Sequence, residues 1–203
     1  PLLIDPDETI AFKASASDTS DLSLIINNNT VHSVNDINLE FSYQFTDPGT
    51  YTAVIKAEKD DNTDYDTTII FVRDNPVEML RPEGVEDGIN YISDQTVTLV
   101  LFAPYKEHVY LIGDFNDWTP SSEYQFYKDG DYWWITLNNL TPGVEYANQY
   151  LIDDGLLIAD PYTEKVLDPW NDGYISESVY PNLKSYPAGK TTGIVSDLQP
   201  GKT

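Results

Sequence analysis

Apolar and polar residues alternate along most of this chain, in runs of strand length separated by turn-forming residues. The run from Leu39 to Phe45 is one example, and the run from Tyr51 to Ala57 is another. A period of two places successive side chains on opposite faces of a β-strand. No segment longer than a few residues shows the 3.6-residue apolar period of an amphipathic helix. The chain is therefore predicted to be all-β and built from β-sandwiches.

The charge balance restricts the partners of the chain. Its 203 residues contain 34 acidic and 11 basic side chains, which gives a formal net charge of -23. Nucleic acids and anionic membranes require basic surfaces, so neither is an expected partner, whereas a neutral glycan is compatible. No apolar run reaches the length of a membrane-spanning segment. The chain has no cysteine, so no disulfide framework is expected.

The segment Val109–Pro120 combines a short strand with a turn that carries a tryptophan. Gly113 ends the strand, and Asn116 lies among turn-forming residues. Trp118 is therefore expected on a loop rather than in a strand. An exposed flat ring can stack on the C–H face of a sugar, and neighbouring amide and carboxylate side chains can bind its hydroxyl groups. The alternative is a half-buried loop anchor, and the residues alone leave both interpretations open.

Two consecutive tryptophans follow an Asp-Gly hairpin signal at 128–131. Trp133 and Trp134 are consecutive in the next strand, so their side chains point to opposite faces. One is expected in the core, and the other is expected to pack against a neighbour or to contact a sugar.

The sequence VYLIGDFNDW, followed by a hairpin, a Pro-Gly turn and a strand ending in an Asp-Gly turn, resembles the glycogen-binding early-set module. That module occurs at the N-terminus of branching enzymes, isoamylases and other α-amylase-superfamily enzymes, and in the β subunit of AMP-activated kinase. The resemblance runs from about Thr96 to Tyr162, and the segment from Ile158 to Trp170 is similar to the stretch that follows the module in amylolytic enzymes. The segment from Tyr43 to Ala57 resembles the later strands of polycystic-kidney-disease-like immunoglobulin domains.

The resemblance assigns roles to particular residues. It makes Trp118 the first sugar platform, with Asn116 at the usual asparagine position and Gln149 where the kinase-type module has a lysine. The second platform falls at about Leu157, which offers no stacking plane, so weak binding is implied. The resemblance also makes Trp133 the core tryptophan. The candidate carbohydrate-binding residues are Trp118, Asn116, Gln149 and Trp134.

No catalytic, cofactor or metal site is expected. The α-amylase superfamily acts through a barrel of roughly 250 residues, and too few residues follow Trp170 to form one. His32 and His108 lie far apart in a chain without cysteine, so a zinc site is not expected. The carboxylates at 60–66 are expected to form a solvated acidic turn rather than a calcium site.

These observations predict two immunoglobulin-like β-sandwich domains in tandem. Residues 1–75 form the polycystic-kidney-disease-like domain, residues 76–180 form the early-set glycogen-binding-type domain, and residues 181–203 are a tail or linker toward a catalytic domain outside this chain. The boundary lies at the polar, proline-ended segment 73–76.

The expected function is that of a non-catalytic N-terminal region of an α-glucan-acting glycoside hydrolase in starch or glycogen metabolism. Its expected partners are an α-glucan, bound weakly as a maltooligosaccharide, and the protein's own C-terminal catalytic domain. The resemblance implies a bacterial protein that is secreted, periplasmic or at the cell surface. A structural pair of β-modules and a stand-alone glycan-binding protein remain alternatives.

Overall fold

The computed structural model of the chain describes residues 1–153 and 155–202. Strands make up 54% of the structure and helix 3%, so the predicted all-β class of tandem immunoglobulin-like β-sandwiches is confirmed. The chain divides into two compact units, Pro1–Asp74 and Asn75–Thr203. Among the described residues, no helix is long and apolar enough to cross a membrane.

The first unit is one five-stranded sheet in the order β1-β5-β4-β2-β3. Strand β1 runs parallel to β5, and the other neighbours are antiparallel. The strands are β1 Leu2–Ile4, β2 Glu8–Ile26, β3 Asn29–Phe45, β4 Gly49–Lys59 and β5 Asn62–Val72.

The sheet of the first unit folds over its own core through the long β2–β3 hairpin. Asn27 and Asn28 adopt positive φ angles of 48° and 65°, as a two-residue type I′ turn requires. The ladder between β2 and β3 shifts register between Ser15 and Ser20, which permits the hairpin to bend. Phe12 before the shift and Leu24 after it lie in the same apolar core.

The strands of the first unit are longer than the sequence analysis predicts. The alternation is broken around Ser15–Ser20, and a bulge absorbs that break without ending the strand.

The acidic turn is shorter than the segment 60–66 expected from the sequence. Only Asp60 and Asp61 separate the paired residues Lys59 and Asn62, and the remaining acidic residues lie within β5.

The second unit consists of two sheets. One is ordered β6-β7-β10-β9, and in the other β11 pairs with β12, β14 and β8, while β13 pairs with β14. The strands are β6 Gly88–Ser93, β7 Thr96–Phe102, β8 Val109–Gly113, β9 Tyr127–Asp129, β10 Tyr132–Leu137, β11 Tyr146–Ile152, β12 Leu156–Ile158, β13 Val166–Leu167 and β14 Val195–Leu198.

The two sheets of the second unit share one apolar core. Trp133 is fully buried there, as predicted, and its indole N–H donates to the carbonyl of Ala103 at 3.1 Å. Phe126 packs edge-on against Tyr150 with ring centroids 5.4 Å apart. Burying side chains of this size contributes about 1.5–3 kcal/mol each.

The last segment of the chain is part of this core. Residues 181–203, for which the sequence predicts a tail or linker, contain β14, which pairs with β11 and β13. Val195 and Leu198 are fully buried. The short apolar pattern of β14 is easily missed because polar and buried Ser196 and Asp197 interrupt it.

Candidate functional site

The turn after β8 is held by the side chain of Asn116. Its Oδ1 accepts the N–H of Gly113 at 2.9 Å, and its Nδ2 donates to the carbonyl of Leu111 at 2.8 Å. A Cβ atom on Gly113 would lie 2.4 Å from the carbonyl oxygen of Ala147, so only glycine fits there. Both ends of the Asn116 amide are therefore used by the fold.

Trp118 is buried, with 5% of its surface exposed. The expectation that its ring projects from the loop is wrong. Asp117 and Trp118 have positive φ angles of 51° and 61°, which reverse the chain at the tip of the turn. The indole N–H lies 3.4 Å from a carboxylate oxygen of Asp114. In this arrangement the ring is a loop anchor, the second of the two interpretations of the sequence.

Gln149 is fully buried beneath residues 184–194, a segment that we call the strap. Its Nε2 donates to the carbonyl oxygens of Thr192 at 2.9 Å and Ile194 at 2.7 Å. Its Oε1 accepts the hydroxyl of Thr191. The kinase-type module has a sugar-binding lysine at this position. In this chain, Gln149 instead binds backbone carbonyl groups of the strap.

Two lysines of the strap also reach the turn after β8. Lys184 Nζ lies 2.9 Å from Asp114 Oδ2 and donates to the carbonyl of Glu145 at 3.1 Å. Lys190 Nζ lies 2.6 Å from Asp117 Oδ1. The hydrogen bond from Lys190 to Asp117 raises the pKa of Lys190, although this pair is exposed and contributes little stability.

The structure brings three of the four candidate residues together. Gln149 on β11 pairs with Ile112 of β8, one residue before Gly113 begins the turn that carries Asn116 and Trp118. Leu157 on β12 is half-buried and offers no aromatic plane near this turn.

Trp134 lies apart from the other three candidates, on the outer face of the sheet β6-β7-β10-β9. It is 7% exposed, and its indole N–H donates to the carbonyl of Met79 at 2.9 Å. The segment around Met79 is fixed in turn by backbone hydrogen bonds from Met79 to Lys128 and from Lys128 to Val77. The neighbour expected for this face is therefore the chain's own segment 77–79, and Trp134 packs rather than offering a free face. Phe102, on the same sheet, is half exposed.

A buried polar network connects Asp160, which follows β12, to β11 and β14. The hydroxyl of Tyr150 donates to the carboxylate of Asp160, and the backbone N–H of Tyr162 donates to the other oxygen at 2.7 Å. Ser196 receives the N–H of Asp160 at 3.2 Å and donates to the carbonyl of Asn148 at 2.8 Å. Burial raises the pKa of Asp160 and that of Tyr150.

A second buried group involves Lys165, which lies 2.5 Å from Glu145 and 3.1 Å from Asp197. Burial raises the pKa of Asp197, and the nearby ammonium group of Lys165 opposes that shift. Burial would lower the pKa of Lys165, but its two carboxylate partners raise it. These ionisable groups hold the β13–β14 region to β11, so their charges serve the fold.

Trp170 is an exposed ring that the sequence analysis does not count among the site residues. It lies on a turn after β13 and is 64% exposed. The sequence signal for its exposure is local, because the turn-forming residues Asp168, Asn171 and Asp172 surround it.

Among the described residues, no group of three His, Cys, Asp or Glu side chains is arranged to hold a metal ion.

Residues 88–171 match the family model of carbohydrate-binding module 48, described as the isoamylase N-terminal domain. This matched segment is less than half of the chain and contains β6 to β13 of the second unit. The match supports the resemblance for the second unit, whereas the polycystic-kidney-disease-like assignment of the first unit stays a prediction. No curated protein matches the chain.

Several solved structures are similar to the chain at low identity. A chimeric titin Z1Z2-Z1Z2 tandem is 10% identical, with 76% of this chain and 89% of that chain covered and a TM-score of 0.33. A two-domain fibronectin type III segment of chicken tenascin is 16% identical, with 77% and 90% covered and a TM-score of 0.24. The pullulanase from Bacillus acidopullulyticus is 10% identical, with 80% and 35% covered and a TM-score of 0.31. TM-scores this low do not bear on function.

Proposed function

We propose that this chain is the non-catalytic carbohydrate-binding and positioning region of a glycoside hydrolase that acts on α-glucans such as starch or glycogen. The observation that carries the proposal is the match of residues 88–171 to the isoamylase N-terminal family of carbohydrate-binding modules. Its proposed partners are an α-glucan and a catalytic domain of the same protein. The proposed location of the protein is outside the bacterial cytoplasm: secreted, periplasmic or on the cell surface.

The buried carboxylates in the described part of the second unit are used by the fold. Glycoside hydrolysis needs two carboxyl groups facing each other across an open site. In the described part of the second unit, the buried carboxylates Asp160 and Asp197 are instead occupied by Tyr150 and Lys165. They hold strands together, which fits the proposed non-catalytic role.

The affinity for a free oligosaccharide is weak in this proposal. One stacked aromatic ring is worth about 1–3 kcal/mol if stacking of nucleic-acid bases is a fair analogue. A few exposed hydrogen bonds add about 0.5–1.5 kcal/mol each. Together they reach the roughly 4 kcal/mol of a millimolar complex. Weak binding of this kind suits a module that holds a catalytic domain near a polymer with many equivalent sites.

Isothermal titration calorimetry of the full chain with maltoheptaose tests the proposal. We expect saturable binding in the millimolar range, no binding of cellohexaose as the β-linked control, and no release of reducing sugar from starch, glycogen or pullulan. Equal binding of both oligosaccharides would contradict the assigned α-glucan class. Reducing-sugar release that increases with protein and survives purification controls would contradict the non-catalytic role.

A structural pair of β-modules without sugar affinity is the second candidate function. The observation that favours it is the burial of Trp118, Gln149 and Trp134, which leaves none of these side chains free to stack on or bind a sugar. The same titration decides between the two, because a structural module binds neither oligosaccharide.

A further inference from the structure

The turn at 168–172 is fixed at both ends. Its first end follows buried Leu167 of β13, which pairs with Val195 of β14. The carboxylate of Asp168 accepts the N–H of Trp170 at 2.8 Å and the Nδ2–H of Asn171 at 2.6 Å. The other end is closed by hydrogen bonds from the N–H of Asp168 to the carboxylate of Asp172 at 2.8 Å, and from the N–H of Asp172 to the carbonyl of Asp168 at 3.1 Å.

This turn presents an aromatic ring that the fold itself leaves in water. The chain has four tryptophans, and Trp118, Trp133 and Trp134 are all buried, whereas Trp170 is 64% exposed. Tyr174, in the 3-10 turn Asp172–Tyr174 that follows directly, is 89% exposed. A large ring on a backbone that is already fixed is pre-organised for a ligand, because little conformational freedom is lost on binding.

The groups around this ring fit a neutral sugar. An indole plane accepts the C–H face of a hexopyranose. Asn171 and Asp172 lie on the same turn, and although the Asn171 Nδ2 and the Asp172 Oδ2 are bonded within it, each side chain also has an Oδ1 atom that can bind a sugar hydroxyl. The net charge of -23 disfavours an anionic ligand. Trp170 also lies inside the segment 88–171 that matches the carbohydrate-binding family model.

We propose that Trp170 is the stacking platform of an α-glucan-binding site on the turn 168–172, with Asn171 and Asp172 as polar contacts and Tyr174 as a second aromatic surface. This site rests on the proposed function, since it requires that the chain binds α-glucan. It differs from the site implied by the sequence resemblance, in which Trp118 is the platform.

The test is a nuclear magnetic resonance titration of the ¹⁵N-labelled full chain with maltoheptaose. Each of the four tryptophans gives one indole N–H signal, and a Trp170→Phe variant identifies the signal of Trp170. We expect that signal to shift most during the titration. We expect Trp170→Ala to weaken binding about tenfold or more, from the value of one stacked ring. Trp170→Phe keeps an aromatic face and should retain part of the affinity.

The matched control is Tyr105→Ala, which removes another exposed ring, 98% exposed between β7 and β8. It should leave the dissociation constant unchanged. If the wild-type chain binds maltoheptaose and Trp170→Ala binds equally well, the site is overturned while the proposed function stands. If the wild-type chain shows no shift at any tryptophan and no binding, the sugar site and the binding part of the proposed function both fail, and the exposed ring becomes a candidate contact for a protein.

Discussion

The side-chain amide of Gln149 lies 2.9 Å from the carbonyl oxygen of Thr192, so a residue of the central strand β11 holds the strap against the sheet. This contact gives Gln149 a structural role. The sequence resemblance assigns it to sugar binding, and in the structure its hydrogen-bonding groups hold the strap. The surface near the Trp118 turn is consequently occupied by the chain itself.

Replacing Trp118 tests whether it is an anchor. Because the ring is buried, Trp118→Ala should lower the free energy of unfolding by about 3–5 kcal/mol, the usual cost of removing a large core side chain. Urea denaturation followed by circular dichroism measures this change. The matched control is Trp170→Ala, whose exposed ring should cost less than about 0.5 kcal/mol. Similar small effects for both variants would show that Trp118 is not part of the core.

Replacing Gly113 tests the close approach between β8 and β11. Gly113→Ala should destabilise the chain by about 1–3 kcal/mol, because the new Cβ atom would meet the carbonyl oxygen of Ala147. Thermal unfolding of purified protein gives the change in midpoint. Gly173→Ala is the control, since no heavy atom lies within 4 Å of its added Cβ. An unchanged midpoint for Gly113→Ala would refute the packing described for this turn.

Removing the Gln149 amide should loosen the strap. Gln149→Leu leaves the carbonyl groups of Thr192 and Ile194 without their side-chain donor, so trypsin should cleave after Lys190 faster than in the wild type. Limited proteolysis with mass spectrometry measures the rate at that bond. Gln44→Leu, an exposed glutamine of the first unit with one hydrogen bond, should leave the rate unchanged. Equal rates in all three proteins would mean that Gln149 does not hold the strap.

Acidification should stabilise the chain over part of the acidic range. Burial raises the folded-state pKa of Asp160 and of Asp197 above the ordinary aspartate value of 3.8. The folded state therefore binds more protons than the unfolded state between 3.8 and the raised values. Their contribution to stability is fully present below 3.8 and is lost as the pH rises through the folded-state pKa values. Added salt screens the repulsion among the acidic side chains that give the net charge of -23, so it should also increase the free energy of unfolding.

Urea unfolding at a series of pH values checks this dependence. Asp160→Asn removes one of the two titrating groups, so its stability should change less steeply with pH above 3.8 than that of the wild type. Asp168, whose pKa is lowered by hydrogen bonds from Asn171 and Trp170, acts only below 3.8, where it opposes the effect. Identical slopes for the wild type and Asp160→Asn would contradict a raised pKa for Asp160.

The sequence predicts much of the fold because the relevant signals are local. Period-two alternation identifies strands of the first unit such as β4, and the family resemblance identifies Trp133 of β10 as a core residue. The bend in β2 could not be predicted in this way. A bulge between Ser15 and Ser20 depends on pairing with β3, which lies far along the chain.

The candidate site is less predictable than the fold, since burial depends on distant segments. Trp118 lies on a turn, where the local sequence leaves exposure and anchoring both open, and it is buried. Gln149 is covered by residues 184–194, more than 30 positions later in the chain. Trp134 is covered by the segment around Met79, which precedes its strand. None of these contacts has a signal within the turn or strand concerned.

Affinity electrophoresis of the full chain in native gels containing glycogen tests the central proposal most directly, because it uses the polymer itself. We expect glycogen to retard the wild-type chain in proportion to the glycogen concentration, to retard Trp170→Ala less, and to retard Tyr105→Ala as much as the wild type. Mobility of the wild-type chain that is unaffected by glycogen at any concentration would contradict the proposal that this chain binds α-glucan.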